Sequence, residues 1–343
     1  MSTGAGMHPV EIFVRLPHSW CGASLDGVGR VADAAERLGY DGVSVQDHVL
    51  SGPAVSPCGS RHDGDDRTVL EPFTTLTWVA ARTSRIRLLT GVVVLPFRHV
   101  IWVAKTGATL DVVSDGRLVL GVGIGAPRSR QTDGIQNLGP HAAISARETA
   151  LFDLPGPRGK LMDEAIEALD RLWTQETASF DGEQVRFEGV DLRPRPVQQP
   201  RPPIWVGGRA EAAIRRAALL ADGWFPSQAS LAVLAEGRAV ARTHAEAAGR
   251  PEPRYGINMF ASVDRDGDVA REIVRDGLGH RFRGEDALFD STIAGTPDEV
   301  AARMRAYVDA GCTVFDLKFL PHTGEAIERQ MELVAETVLP ALR

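Results

Sequence analysis

Long apolar runs and a surplus of positive charge are both missing from the sequence. No stretch approaches the roughly 18 consecutive apolar residues that indicate a membrane-spanning helix. Acidic residues number 45 against 38 basic ones, so the formal net charge is −7. Binding to nucleic-acid phosphates requires a basic patch, and none is visible. We therefore predict a protein that neither spans a membrane nor binds nucleic acid.

Cysteine is also scarce. The three residues, Cys21, Cys58 and Cys312, lie far apart and form no C-x-x-C pair. This usage is typical of a reducing compartment and argues against a disulfide framework or a cysteine zinc site. The nine histidines form no H-E-x-x-H motif, so we expect no metal. The N-terminal residues have no export-signal pattern, and we predict a soluble, cytoplasmic protein.

The remaining composition is ordinary for a globular protein, with 43% hydrophobic and 24% charged residues in a chain of 343. The length allows two domains, but an α/β barrel of this size can form a single unit. No linker separates two regimes of composition. We predict one domain over residues 8–343, preceded by a disordered tail at residues 1–7.

Short apolar runs alternate with helix-like segments along the chain. Most runs are continuously apolar, as in parallel strands that are covered on both faces. Eight of them precede helical sequence, namely 10–16, 42–46, 86–94, 117–123, 203–206, 223–225, 254–263 and 312–320. Eight such units predict an α/β fold, a single (β/α)8 TIM barrel.

Local signals mark the ends of several elements. Gly39 is placed to end the first helix as a left-handed C-cap. Thr296-Pro297-Asp298-Glu299 is a capping box with proline at the first helical position. Asp181-Gly182 predicts the turn of a hairpin within 177–189.

Three connections are longer than a barrel needs: 49–71, 126–158 and 279–294. The first two follow strand ends. We predict that they are insertion loops at the C-terminal face, where barrel enzymes carry their active sites.

Asp47-His48 closes the second predicted strand, at that face. A histidine titrates near neutral pH and can act as a general acid or base. A loop histidine that only bonds a backbone group fits the position equally well, and both interpretations stay open.

Val206-Gly207-Gly208-Arg209 lies where a strand meets a helix. The glycines permit close backbone approach, and the helix start and Arg209 attract anions, so the segment predicts a phosphate cradle. A tight turn with a solvated arginine is the alternative. Gly121 to Gly125 lacks the last glycine of a dinucleotide fingerprint, since Arg128 takes that position. We expect these glycines to leave room for a flat ligand.

A barrel with glycine-rich strand ends, a phosphate cradle and one well-placed histidine indicates a phosphate-bearing organic cofactor. The stretch TGVVVLPFRHVIWVAKTGATLDVVSDGRLVLGVGIG (90–125) resembles the central signature of the bacterial luciferase-like superfamily. Segments 43–49, 158–173 and 201–226 fit the same family in the same order. The resemblance implies a (β/α)8 barrel and a flavin- or deazaflavin-dependent oxidoreductase, most similar to the branch that uses coenzyme F420.

The resemblance also implies roles for individual residues. Gly91-Val92 would form the family's non-prolyl cis peptide, a bulge against the middle ring of the cofactor. Asp47 and His48 match the Asp-His pair beside the ring, with His48 as proton donor or acceptor. The implied cofactor-binding residues are Asp47, Thr90, Gly91, Val92, Gly125, Ala126, Val206, Gly207, Gly208 and Arg209. Arg15, His18 and Arg98 are assigned to the substrate side by position alone.

Two positions depart from relatives. Ile124 stands where bacterial luciferase has a phosphate-binding arginine, which disfavours FMN. Ala126 stands where deazaflavin-dependent sugar-phosphate dehydrogenases have a catalytic glutamate, which disfavours oxidation of sugar phosphates by their mechanism.

Together these patterns predict an F420-dependent oxidoreductase that transfers a hydride between C5 of the deazaflavin and a small organic substrate, with His48 as acid or base. A two-component FMN-dependent monooxygenase, which uses reduced flavin and oxygen, is the first alternative. A non-catalytic flavin-binding protein is the second. The expected partners are a small-molecule substrate, a second copy of the chain in a homodimer, and a separate reductase that supplies reduced cofactor.

Overall fold

Eight parallel strands form the centre of the molecule. The structure is a computed structural model that describes residues 8–19, 23–50, 68–125, 147–152, 154 and 156–343. The strands are β1 (Glu11–Arg15), β2 (Gly42–Val45), β3 (Arg87–Thr90), β4 (Leu118–Gly123), β5 (Ile204–Gly207), β6 (Gly223–Phe225), β7 (Arg254–Val263) and β8 (Val314–Phe319). Each pairs with the next, and β8 pairs with β1, which closes the barrel.

Helices surround the barrel. They are α1 (Leu25–Leu38), α2 (Pro72–Ala80), α3 (Val100–Val113), α4 (Arg158–Thr174), α5 (Glu211–Leu220), α6 (Leu231–Ala247), α7 (Gly267–Leu278), α8 (Glu285–Asp290), α9 (Pro297–Asp309) and α10 (Gly324–Leu333). A π-helical turn, Val334–Val338, and a short helix, Leu339–Leu342, follow. All eight predicted strands are present, so the (β/α)8 prediction is confirmed. Within the described ranges, no helix is long and apolar enough to cross a membrane.

The predicted helix ends are confirmed. Gly39 adopts the left-handed conformation, with φ of +83°, and its N–H donates to the carbonyl of Ala35. The hydroxyl of Thr296 accepts from the N–H of Glu299, whose carboxylate accepts from the N–H of Thr296. These caps end α1 and begin α9 where the local chemistry indicated.

The predicted hairpin is present, but its turn is longer than expected. Strands Ala178–Asp181 and Arg186–Val190 pair antiparallel, with Asp181 opposite Arg186, so residues 182–185 form the connection. The carboxylate of Glu164 accepts hydrogen bonds from three backbone N–H groups of this connection. The prediction that Asp181-Gly182 alone forms the turn was wrong. The connection has four residues because the carboxylate of Glu164, on α4, binds its backbone N–H groups.

The three predicted insertions differ in what the structure describes. Most of 49–71 and of 126–158 lies outside the described residues, as do Ala126 and residues 1–7. The third, 279–294, is largely helical. It contains a 3-10 turn, Gly279–Arg281, and α8, and it packs Phe282 against Phe260 of β7.

Side chains along the strands alternate between the helix layer and the barrel interior. The base of the interior is apolar and is filled by Phe13, Leu89, Val119, Trp205, Phe225 and Val314. On β8, Asp316 and Lys318 follow Val314 at alternate positions, one and two levels nearer the C-terminal mouth. The interior therefore changes from apolar at its base to charged at its mouth.

Candidate active site at the barrel mouth

A buried ion pair lies just above the apolar base. Nη2 of Arg15 is 2.6 Å from Oδ2 of Asp316 and donates to the carbonyl of Gly91 at 2.8 Å. Nε of Arg15 donates to Oγ of Ser44 at 2.7 Å, and Nη1 donates to Oε1 of Gln46 at 3.0 Å. A buried pair is stable only when further hydrogen bonds complete it, as they do here. Through its hydrogen bond to the carbonyl of Gly91, Arg15 fixes the chain at the end of β3 from the side of the apolar base.

Asp316 receives donors from three strands. Besides Arg15, Oγ of Ser44 donates to its Oδ1 at 2.5 Å, and Nδ2 of Asn258 donates to its Oδ2 at 2.6 Å. Oγ of Ser227 in turn donates to Oδ1 of Asn258 at 3.1 Å. This network joins β1, β2, β7 and β8, and it makes the floor of the mouth rigid.

The Gly91–Val92 peptide is cis, as the resemblance implied. Thr90 is buried, and its Oγ1 donates to the carbonyl of Gly121 at 2.8 Å. Gly91 and Val92 are half-buried at the mouth. They form a small surface above Arg15, and we call residues 90–92 the bulge.

Glycines on the neighbouring strands accommodate the bulge. A Cβ at Gly121 would lie 2.0 Å from the carbonyl oxygen of Thr90, and one at Gly123 would lie 2.7 Å from Cγ2 of Val92. A Cβ at Gly207 would lie 3.1 Å from Cγ1 of Val92. The expectation that Gly121 and Gly123 leave room for a ligand was wrong, because the bulge itself occupies that space. Gly207 brings the phosphate cradle against the same side chain.

Asp47 fixes the chain that follows the bulge. Its buried carboxylate accepts from the N–H of Val94 at 3.0 Å and from Nε and Nη2 of Arg98 at 2.9 and 2.8 Å. Arg98 also pairs with Glu71. Burial opposes the charge of Arg98, but Asp47 and then Glu71 outweigh it and raise the arginine's pKa. Asp47 therefore links the end of β2 to the segment that follows the bulge, and we call residues 93–98 the clamped segment.

His48 is held by an acid that sequence patterns did not reveal. Its Nδ1 lies 3.0 Å from Oε2 of Glu148, whose Oε1 accepts from the N–H groups of Val49 and Leu50. Burial would raise the pKa of Glu148, but the hydrogen bond and charge of His48 and the backbone donors lower it below its ordinary value. A carboxylate can only accept, so the Nδ1 of His48 carries the proton in this contact.

Glu148 lies in helical residues 147–151, inside a segment predicted to be a loop. The only sequence signal was a short helix-like run containing one acid, RETALF (147–152). Nothing in that run indicates that it meets His48, since 100 residues separate the two in the chain.

The residues assigned to the substrate side all contact protein groups. His18 is fully buried, with Nδ1 2.8 Å from the carbonyl of Leu16 and Nε2 3.0 Å from the N–H of Gln46. Burial, and then the charge of Arg15, lower its pKa to about 3, so His18 is neutral at physiological pH. The substrate-side roles of Arg15, His18 and Arg98 stay predictions.

The predicted phosphate cradle follows β5. Val206 is buried, whereas Gly208 is exposed with φ of +113°, a conformation that favours glycine. Nε1 of Trp224 donates to the carbonyl of Gly208 and fixes the turn. The N-cap of α5, Ala210, has no polar side chain, and no described side chain caps the first N–H groups of the helix. With the adjacent Arg209, this donor set fits a phosphate.

Gly125 ends the neighbouring strand, β4. Its φ is +78°, and a Cβ there would lie 3.2 Å from Cγ1 of Val94. Nη1 of Arg158, the first residue of α4, donates to the carbonyl of Ile124 at 3.0 Å. Gly125 thus keeps the chain close to the segment that Asp47 clamps.

The bulge, the clamped segment, the cradle and His48 lie on strands β2 to β5 of a TIM barrel, at the face where such enzymes bind cofactors. The model of the luciferase-like monooxygenase family matches residues 12–287. The chain therefore belongs to the luciferase-like monooxygenase family. This family consists of oxidoreductase enzymes.

Individual relatives agree with the family assignment. An F420-dependent glucose-6-phosphate dehydrogenase of Nakamurella multipartita is 28% identical over 339 residues, covering 91% of each chain. The uncharacterized protein Mb0978c of Mycobacterium bovis is 40% identical over 164 residues, which is 47% of this chain and about half, 51%, of that protein. The crystal structure of monooxygenase RslO1 from Streptomyces bottropensis matches with a TM-score of 0.73 at 25% identity, covering 97% of this chain and all of that one.

Proposed function

We propose that this chain is a coenzyme F420-dependent oxidoreductase that transfers a hydride between the deazaflavin and a small organic substrate, with His48 as acid or base. The observation that carries the proposal is the contact between bulge and cradle. Val92 packs on Gly207, so a surface for a ring and donors for a phosphate are continuous. The full-length likeness to an F420-dependent dehydrogenase supports the choice of cofactor.

The cofactor's ring would lie against Gly91 and Val92, and its phosphate would lie on Gly207, Gly208 and Arg209. When bound, F420 would supply the hydride acceptor or donor. Ile124 offers no charge for a second phosphate contact at the end of β4. These features suit a cofactor that is held mainly by backbone donors and by shape.

His48 would move the proton that accompanies the hydride. Glu148 lies against Nδ1 of His48, and we propose that the other ring nitrogen, Nε2, takes a proton from a substrate hydroxyl or returns one to a carbonyl. The buried carboxylate stabilises the imidazolium that forms during the transfer, and the backbone bonds of Val49 and Leu50 fix its orientation.

A paired glycine substitution tests the assigned cofactor site. Gly208→Ala places a methyl group at φ of +113° in the cradle, whereas Gly189→Ala places one at φ of +63° on the hairpin, with no atom within 4 Å. Both variants should lose some stability. Only Gly208→Ala should weaken F420 binding, about tenfold or more, in a fluorescence titration. Equal F420 affinity in the two variants would remove the cradle from the cofactor site.

A second candidate is an FMN-dependent monooxygenase, and the likeness to the monooxygenase RslO1 supports the oxygenase part of this alternative. It requires reduced flavin, a reductase that supplies it, and oxygen. Oxygen uptake with reduced FMN and substrate, in the absence of any F420 reaction, would establish this alternative. Retention of F420 without turnover of any substrate would instead indicate a non-catalytic binding protein.

A homodimer is part of the same proposal. Helix α3 carries exposed apolar side chains, among them Trp102 at 68% exposure and Val113 at 52%. Patches of this kind commonly mark protein interfaces. Light scattering on the purified protein should give twice the chain mass, and Trp102→Glu should reduce it to one chain. A cytoplasmic location stays a prediction.

A further inference from the structure

Two cationic side chains are buried at the mouth, and no described residue supplies an anion that pairs with them. Lys318 on β8 and Arg281 in the 3-10 turn after α7 are each 5% exposed. Neither forms a hydrogen bond or ion pair with any residue in the part of the chain that the structure describes, and Nε of Arg281 is buried without a partner. Their shared contact is Phe260, whose ring centre lies 5.0 Å from Nζ of Lys318 and 5.6 Å from Cζ of Arg281.

The neighbouring carboxylate of Asp316 does not neutralise these cations. Asp316 lies two residues before Lys318, but both of its oxygens already accept hydrogen bonds from Arg15, Ser44 and Asn258. The neighbouring side chains of His18 and His322 add no negative charge. Among the described residues, this part of the mouth therefore has two cationic side chains and no carboxylate that is free to pair with them.

The surroundings of Lys318 disfavour its charged form. Burial, and then the charges of Arg15 and Arg281, lower the pKa of Lys318 to about 7, although Asp316 opposes the shift. Burial alone lowers the pKa of Arg281 to about 10. Unpaired buried cations destabilise a fold, and an anion between them would remove that cost.

The position of the pair assigns the anion to the substrate. The phosphate cradle follows β5, whereas the cations lie on β8 and next to β7, across the mouth. Phe260 belongs to an apolar cluster that Leu50 also packs against, and Leu50 follows His48 by two residues. The cations thus lie near the segment that carries the proposed acid or base, on the side away from the cradle.

We propose that Lys318 and Arg281 bind the carboxylate or phosphate group of an anionic substrate, with Phe260 as the apolar wall beside it. This inference rests on the proposed function, because it names the substrate class for the same site. A bidentate guanidinium and a flexible ammonium together suit a compact anion with several oxygens. The reacting hydroxyl or carbonyl would extend from this group toward His48.

Thermal unfolding with anion probes tests the pair directly. Inorganic phosphate and acetate serve as probes, and Lys318→Met is compared with Arg305→Met, which removes a charge from the exposed surface of α9. In the wild type, a probe anion should raise Tm. Lys318→Met should abolish at least half of that increase while Tm without anion stays the same or rises, because a buried unpaired charge is gone. Arg305→Met should leave the increase unchanged.

The opposite result is a lower Tm of Lys318→Met without anion together with an unchanged response to both probes. It would make Lys318 a structural residue and overturn the inference. Arg281→Met serves as an independent variant, with the same expectations. Phosphate can also bind the cradle. The test therefore compares the anion-induced increase in Tm of the wild type with that of each variant.

An F420 titration separates this inference from the proposed function. Lys318→Met should bind F420 as tightly as the wild type and bind the probe anion about tenfold or more weakly. Loss of F420 affinity in Lys318→Met would assign the cations to the acidic tail of the cofactor and overturn the substrate assignment. Failure of the wild type to bind F420 would defeat the proposed function, while the anion response would still test the pair.

Discussion

Two sides of the barrel mouth differ in how their buried charges are compensated. On the side of the bulge, Asp47 is paired with Arg98 and accepts a backbone hydrogen bond as well. On the side of β7 and β8, Lys318 and Arg281 have no ion-pair partner among the described residues. On the first side the protein itself compensates the buried charge, whereas on the second side we propose that the anionic substrate does so.

The difference implies opposite responses to substitution. Removal of one member of a buried pair leaves the other charge unbalanced and destabilises the fold. Removal of a charge that has no partner relieves the same cost. Stability measurements can therefore distinguish a preformed support from a ligand site, even before the substrate is known.

The largest expected effect is on catalysis at the paired side. His48→Ala should lower kcat by about 10²- to 10⁴-fold, the usual contribution of a general acid or base, with F420 affinity unchanged. The rate is measured from F420 absorbance with an acid-bearing alcohol that the wild type oxidises. His8→Ala, at an exposed position before β1, is the control. Unchanged turnover in His48→Ala would exclude His48 from the proton transfer.

Asp316→Asn tests the paired floor. The change leaves Arg15 buried without its counter-charge, and we expect a loss of about 3–5 kcal/mol in the free energy of unfolding. Urea denaturation measures the loss, and Asp309→Asn, on the exposed face of α9, is the matched control. A cost below about 1 kcal/mol for Asp316→Asn would mean that the network does not support the bulge.

Gly121→Ala tests the close approach of β4 to the bulge. Its Cβ would lie 2.0 Å from the carbonyl oxygen of Thr90, so the bulge must shift. Overpacking of this kind costs about 1–3 kcal/mol, and F420 affinity should fall as well. Gly249→Ala, where a Cβ meets no atom within 4 Å, should leave F420 affinity intact. Normal F420 binding by Gly121→Ala would separate the bulge from the cofactor site.

The smallest effect concerns the side of the molecule away from the mouth. Partial burial would raise the pKa of Glu36, but hydrogen bonds from the Ser84 hydroxyl and from the N–H groups of Ser84, Ile86 and Arg85 lower it to about 2. A lowered folded-state pKa means that the unfolded chain binds the proton more readily. The Glu36 carboxylate therefore contributes fully to the free energy of unfolding above about pH 4.5, and this contribution is lost as the pH falls toward 2.

Glu36→Gln should lower the free energy of unfolding by about 1 kcal/mol at pH 7 after allowance for solvent screening. The loss should be smaller as the pH falls below 4.5. F420 affinity should not change. Urea denaturation at pH 7 and pH 3 measures the difference, with Asp33→Asn, on the exposed face of the same helix, as control. A cost that grows on acidification would contradict this account of Glu36.

The barrel was predictable because its strands are short apolar runs with recognisable helix starts and ends. Gly39 and Thr296 confirmed that local chemistry fixes those boundaries. The cis peptide at Gly91–Val92 was predictable only through the resemblance of residues 90–125 to a known family. Periodicity alone indicated a buried strand there.

The paired and unpaired charges of the mouth were not predictable, because they depend on contacts between distant segments. Glu148 meets His48 across 100 residues. Asp316 and Lys318 did leave a signal, since two charges at alternate positions of an otherwise apolar strand, VFDLKF, indicate one polar inner face. The assignment of Arg281 to the same face requires the fold itself.

A competition between F420 and FMN tests the central claim most directly. Native mass spectrometry of the protein with equal concentrations of both cofactors should give the F420 complex, with FMN absent from the protein until it is in large excess. Selective retention of FMN would contradict the account. The bulge and the cradle would then bind a flavin, and the proposed hydride transfer with F420 would be wrong.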